Sequence, residues 1–88
     1  MLEIPTRRSP QDVLADCVRR GLVVKELPYT GRDTRRDRKH WHIRRPEGAG
    51  TLELTRQGDR VWLTVKPHWD GGWATALARR LAGAALVD

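Results

Sequence analysis

The segment that most constrains the fold spans residues 40–66 and reads HWHIRRPEGAGTLELTRQGDRVWLTVK. Apolar and polar side chains alternate along three parts of it, at 40–44, 51–56 and 60–66, as they do in strands that bury one face. Short turns that contain glycine separate the three parts, which is typical of antiparallel hairpins. The segment therefore predicts three neighbouring antiparallel strands.

Alternation also sorts the side chains of these strands into two faces. The apolar face, suited to packing against helices, comprises Trp41, Ile43, Leu52, Leu54, Val61, Leu63 and Val65. The polar face comprises His40, His42, Arg44, Thr51, Glu53, Thr55, Arg60, Trp62, Thr64 and Lys66. Helices that cover one side of an antiparallel sheet leave its other side in contact with water. We therefore expect the polar face to be the exposed one.

A helix and a further strand precede this segment. Ser9 is a good capping residue and is followed by a proline, while Gly21 is a typical helix stop, so the pattern predicts a helix over residues 10–20. Residues 22–27 read LVVKEL and end at a proline, which predicts a strand.

The chain closes with a second amphipathic helix, in which Trp73, Leu77 and Leu81 recur every four residues. The predicted fold is α+β in the order α-β-β-β-β-α, a four-stranded antiparallel sheet with both helices packed on one face. We expect residues 1–8 to form an N-terminal tail and residues 9–88 a single domain. The expected core comprises Val13, Leu14, Val18, Trp41, Ile43, Leu52, Leu54, Val61, Leu63, Val65, Leu77 and Leu81.

Length and composition fit one small soluble domain. The chain has 88 residues, of which 39% are hydrophobic and 32% charged, enough for one core. No segment approaches the ~20 apolar residues of a membrane helix, and the N-terminus lacks the pattern of a secretory signal. The single cysteine, Cys17, excludes an internal disulfide and lies on the apolar stripe of the first helix, as an inert buried thiol does. We expect a cytoplasmic protein without a cofactor or a membrane partner.

Basic residues concentrate between residues 31 and 46. The whole chain has a net charge of +6, and this stretch holds seven basic and two acidic residues, a net +5. Clustered positive charge attracts polyanions, of which nucleic acid is the commonest in a cell. We expect residues 30–39 to form a mobile basic loop, because no apolar side chain anchors them. A short helix held by ion pairs, or a loop that serves only solubility, are the alternatives.

We predict a non-catalytic module that binds nucleic acid, with single strands or RNA preferred. Such a surface needs an aromatic side chain on which a base stacks and cations for the phosphates. Trp62 supplies the aromatic ring on the polar face. The predicted contact residues are Arg32, Arg35, Arg36, Arg38, Lys39, His42, Arg44, Arg60, Trp62 and Lys66.

Three alternatives stay open. In the first, an adaptor or homodimer meets its protein partner through Trp62 and the strand at 22–27. In the second, His40 or His42 with Glu53 forms the acid–base pair of a small ribonuclease. In the third, Trp62 only covers its neighbours. A metal site at the histidines would lack a fixed third ligand, so we expect none.

The succession of a helix, antiparallel strands and a helix resembles the plan of the double-stranded-RNA-binding domain. The resemblance concerns topology, and it implies RNA contacts from a lysine-rich start of the final helix. Here the corresponding positions are Gly71-Gly72-Trp73-Ala74, and the predicted sheet has one strand more. The Gly-Ser-His signature of small toxins that cleave messenger RNA is absent. We assign the chain to neither family.

Overall fold

The computed structural model describes residues 1–28 and 38–83. They form an α+β fold of two helices and five strands in the order β-α-β-β-β-β-α. The elements are β1 (Leu2–Thr6), α1 (Pro10–Arg19), β2 (Val23–Glu26), β3 (Arg38–Arg44), β4 (Leu52–Gln57), β5 (Arg60–Val65) and α2 (Ala74–Leu81). Within this described part, neither helix is long and apolar enough to span a bilayer.

The strands form one antiparallel sheet in the order β1-β5-β4-β3-β2. The register pairs Trp41 with Leu54 and Leu54 with Leu63, so the apolar face is continuous across the three central strands. Helix α1 adds Val13 to the same buried cluster, and helix α2 adds Leu81. Both helices therefore pack on the apolar face, and the polar face lies on the opposite side of the sheet.

The expectation of a four-stranded sheet preceded by a tail at residues 1–8 is wrong, because β1 is a fifth strand. It pairs with β5 and places Leu2 opposite Val65 and Ile4 opposite Leu63, where both side chains pack against the core. Pro5 lies within β1 and argues against a strand when the sequence is considered alone. Proline is tolerated at a sheet edge, where its nitrogen faces away from the partner strand, and β1 is an edge strand.

Most of the expected core is buried, but the prediction for Val18 is wrong, since its side chain is 64% exposed. The buried side of α1 is centred on Val13 and Cys17, which are one turn apart, and Val18 lies about 100° further round the helix. On α2, Ala74 and Ala78 are fully buried while Leu77 is only partly so. Small side chains on that surface let α2 approach the sheet closely.

Two residues of the expected tail bond to the helices, and one of them, Arg8, bonds to both. The Arg8 guanidinium donates through Nη1 to Asp16 Oδ2 of α1 at 3.2 Å and to the Leu81 carbonyl at the end of α2 at 3.0 Å. The Thr6 hydroxyl donates to the carbonyl of Ala82 at 2.9 Å. The N-terminal residues thus fix both helices over the apolar face.

Candidate nucleic-acid interface

The side chains of the polar face form rows that run across the strands, and each row consists of paired residues on neighbouring strands. Strand β3 begins at Arg38, so Arg38 and Gln57 add one more row on the same side of the sheet. Paired residues on neighbouring strands have Cβ atoms about 4.5–5.5 Å apart, which lets side chains within a row touch. The three central rows are Arg60–Gln57–Arg38, Trp62–Thr55–His40 and Thr64–Glu53–His42.

The Trp62 ring lies beside two guanidinium groups. Arg60 Cζ is 5.4 Å and Arg38 Cζ 5.7 Å from the ring centroid, which is within the range of cation–π attraction. Arg38 Nη2 also donates to Gln57 Oε1 at 2.7 Å, and this bond holds the guanidinium in the row. Arg38 Nε is buried and has no hydrogen-bond partner among the described atoms. Two cations and an aromatic ring therefore share one end of the face.

Glu53 lies between two histidines in the middle of the face. Its Oε2 atom is 3.3 Å from His42 Nε2 and 3.8 Å from His40 Nδ1. His40 Nδ1 is also 3.2 Å from the hydroxyl of Thr55. All three titratable side chains keep between 18% and 29% of their surface exposed, so the cluster is shielded and still reaches solvent.

A second tryptophan, which the sequence did not indicate, lies beside this cluster. The Trp69 ring meets the His42 ring edge-on, with centroids 5.5 Å apart and an interplanar angle of 77°. Lys66 Nζ is 4.6 Å from the Trp69 centroid. Trp69 follows the proline that ends the strand, and a bond from the Thr51 amide to the Trp69 carbonyl returns this loop to β4. That bond joins residues distant in sequence, so no local pattern signals the position.

Nine of the ten predicted contact residues fall into three groups. Arg38, His42, Arg60, Trp62 and Lys66 lie on the side of the polar face and take part in the ring or charge contacts given above. Arg44 lies on the same side, exposed at the last position of β3. Arg32, Arg35 and Arg36 fall outside the described residues.

The tenth predicted contact residue, Lys39, lies in strand β3 and not in a loop. It pairs with Arg56, which pairs with the core residue Val61, so Lys39 lies on the side that carries the helices. The predicted loop at 30–39 is also too long at its end, since residues 38 and 39 belong to β3. Arg38 and Lys39 are both charged, so the alternation of apolar and polar residues does not indicate that the strand starts there. The start is evident only from the pairing with β4. The rest of that loop lies outside the described residues.

Cys17 takes no part in the polar face. Its side chain is fully buried in the core, and burial, with a smaller contribution from the charge of Asp16, raises the pKa of the thiol to about 11. Such a thiol is a poor nucleophile at neutral pH. In the part of the chain that the structure describes, no three histidine, cysteine or acidic side chains are placed to hold a metal ion.

Comparison of this chain with protein-family models, with curated proteins and with solved structures finds no match. We therefore infer its function from the side chains of the polar face.

Proposed function

We propose that the protein binds nucleic acid through the polar face, with single strands or RNA preferred. The observation that carries the proposal is the pair of guanidinium groups at the Trp62 ring, 5.4 and 5.7 Å from its centroid. An aromatic surface for a base, with cations beside it for the phosphates, is the combination that proteins use to hold single strands.

In the proposed complex a base stacks on Trp62 while Arg38 and Arg60 contact the flanking phosphates. Lys66 and Arg44 extend the positive surface toward the other end of the sheet. Stacking requires an unpaired base, because the faces of bases within a duplex are already covered by their neighbours. This requirement is the reason for the preference for single strands.

Removal of the Trp62 ring tests the proposal that a base stacks on it. Trp62→Ala should weaken binding of a labelled RNA of roughly 20 nucleotides by ~1–3 kcal/mol, or about 5- to 140-fold in Kd. The dependence of affinity on salt should change little, because the phosphate contacts remain. Trp62→Phe is the matched control, since it keeps an aromatic ring. Fluorescence anisotropy at several salt concentrations measures both quantities.

Removal of the positive charges of Arg38 and Arg60 tests the proposal that they contact the phosphates. Each phosphate contact adds about −0.7 to the slope of log affinity against log salt, so Arg38→Gln with Arg60→Gln should flatten it by about 1.4. Arg79→Gln with Arg80→Gln removes the same charge from exposed positions on α2 and should leave the slope unchanged. The sequence predicts a similar flattening for Arg35 and Arg36 changed together. No binding at low salt, where non-specific attraction is strongest, would refute the proposal.

A protein partner at β2 is the second candidate. Strand β2 lies at an edge of the sheet, and Val23 within it is 52% exposed. Exposed edges add strands from other chains through backbone hydrogen bonds. A mass of two copies in sedimentation at micromolar concentration, together with no affinity for RNA, would favour this function over the first.

A further inference from the structure

We propose that Glu53 selects guanine, so that the polar face prefers single strands in which a guanine stacks on Trp62. This inference rests on the proposed function and adds a base preference to it. The observation behind it is a carboxylate in the middle of a basic surface, with Glu53 Oε2 3.3 Å from His42 Nε2. A carboxylate repels phosphate, so on a surface that binds nucleic acid its favourable contacts are with the bases.

The carboxylate lies within reach of a base on Trp62. Thr55 is the cross-strand partner of Trp62, and Glu53 is two residues from Thr55 on β4, which makes Glu53 a diagonal neighbour of the tryptophan. Diagonal neighbours lie about 7–8 Å apart, a distance that aromatic and long side chains bridge. Unpaired bases that stack on aromatic side chains are also hydrogen-bonded along their Watson–Crick edges. The edge of a base on Trp62 can therefore meet the oxygens of Glu53.

The carboxylate is held in place and keeps acceptor capacity. Within the described residues, its contacts with His42 and His40 are both made by Oε2, which leaves Oε1 for a ligand. The His42 ring is in turn restrained by the Trp69 ring, whose centroid is 5.5 Å away. The side chain of Glu53 is 18% exposed. It is thus largely shielded from water and still open to a base above the sheet.

Guanine is the base that matches a carboxylate. Its Watson–Crick edge carries the N1–H and N2–H donors side by side, and the two oxygens of a carboxylate accept such a pair in parallel. Adenine and cytosine each offer one amino group, next to a ring nitrogen that is an acceptor and repels the second oxygen. In uracil the single N–H lies between two carbonyl oxygens. A carboxylate at the stacking site therefore favours guanine over the other three bases.

A second glutamate on the same face provides a matched comparison. Glu3 of β1 and Glu53 of β4 both pair with Thr64, so the two carboxylates lie in one row on either side of it. Both are diagonal neighbours of Trp62. Glu3 is exposed on an edge strand, and among the described residues no hydrogen bond or ion pair holds its carboxylate. Guanine selection falls to Glu53, because a group that is already held loses less conformational freedom on binding.

The test compares guanosine with inosine, which lacks the N2 amino group and is otherwise the same base. Labelled RNA strands of about 12 nucleotides carry guanosine, inosine, adenosine or cytidine at every third position and uridine elsewhere. In fluorescence anisotropy with the full chain, the Kd of the guanosine strand should be at least about 5-fold lower than that of the adenosine, cytidine or all-uridine strand. Inosine in place of guanosine should raise the Kd at least about 3-fold.

Two variants identify the carboxylate that selects the base. Glu53→Gln should bring the guanosine and inosine strands within about 2-fold of each other, because the amide replaces one acceptor oxygen by a donor. Its affinity for the all-uridine strand should stay the same or rise, since a charge that repels phosphate is gone, and this binding also shows that the variant is folded. Glu3→Gln removes the same charge from the same row and should keep the difference between the two strands.

The outcomes separate this inference from the proposed function. Equal Kd values for all strands on the parent chain overturn guanine selection and leave binding standing. A difference between guanosine and inosine that survives Glu53→Gln also overturns it, as does an equal loss of affinity for every strand, which a purely structural role of Glu53 would produce. Failure of all strands to bind at low salt overturns both proposals.

Discussion

At the scale of single residues, burial decides which apolar side chains stabilise the fold. Leu63 is fully buried between Ile4 and Leu54 of the neighbouring strands. Leu63→Ala should lower the free energy of unfolding by about 2–5 kcal/mol through lost burial and the cavity that remains. Val18→Ala, at a position the sequence assigns to the core and the structure exposes, should change it by less than about 0.5 kcal/mol. Urea denaturation of both variants measures the difference, and equal losses would contradict this packing.

Residues of the candidate site were predictable where a local pattern sets their direction. Alternation along β5 is enough to place Trp62 opposite the core, because successive side chains of a strand point to opposite faces. Trp69 was not predictable in this way. Its place beside His42 depends on how the loop after β5 folds back, and that is set by contacts with β4. The sequence did not place Lys39 on the side of the helices, because its strand was expected to start at residue 40, two residues after its start at Arg38.

At the scale of elements, α1 and the hairpins of β3, β4 and β5 were predictable from local signals. The Asp12 amide donates to the Ser9 hydroxyl at 3.1 Å, which confirms the predicted helix start. Strand β1 carries only weak local evidence, since its two inward apolar side chains, Leu2 and Ile4, are followed directly by a proline. Its pairing with β5 joins Leu2 to Val65 and Thr6 to Val61, and a contact between residues so far apart in the chain cannot be read from a short window of sequence.

Arg8 links elements that are distant in the chain, so its loss should loosen both helices. Arg8→Ala removes charge-assisted hydrogen bonds to Asp16 and to the Leu81 carbonyl, and we expect a loss of about 1–3 kcal/mol. Arg7→Ala, one residue away and exposed, should have little effect. Thermal unfolding compares the two variants.

The same contact should depend on pH. Burial alone would raise the pKa of Asp16, but the hydrogen bonds from Arg8 and Arg20 outweigh it and lower the pKa below its ordinary value of 3.8. The unfolded chain then binds the proton more readily, so the stabilisation is present above about pH 4 and is lost as the pH falls further. The Arg8→Ala variant should show less of this acid loss than the parent. Identical acid profiles would contradict the role of Arg8.

At the scale of the whole molecule, the two edges of the sheet differ. Edge strand β1 contains Pro5, which has no N–H to donate to a further strand, whereas β2 reads VVKE and has no proline. Pro5→Thr should keep the fold and open this second edge. We expect the variant to form species larger than two copies at high concentration in light scattering, while the parent does not. A variant with the mass of the parent would show that Pro5 does not protect the edge.

If copies of the chain associate through β2, Pro5 should limit the assembly to two copies. A sheet can extend through many copies only if each copy has two edge strands that can each accept a strand from another copy. A molecule with one such edge strand can pair with a second molecule through β2. Both edge strands of the resulting dimer are then copies of β1, which contains Pro5. Contact through β2 would thus terminate in a discrete pair and leave the polar faces of both copies side by side on one continuous surface.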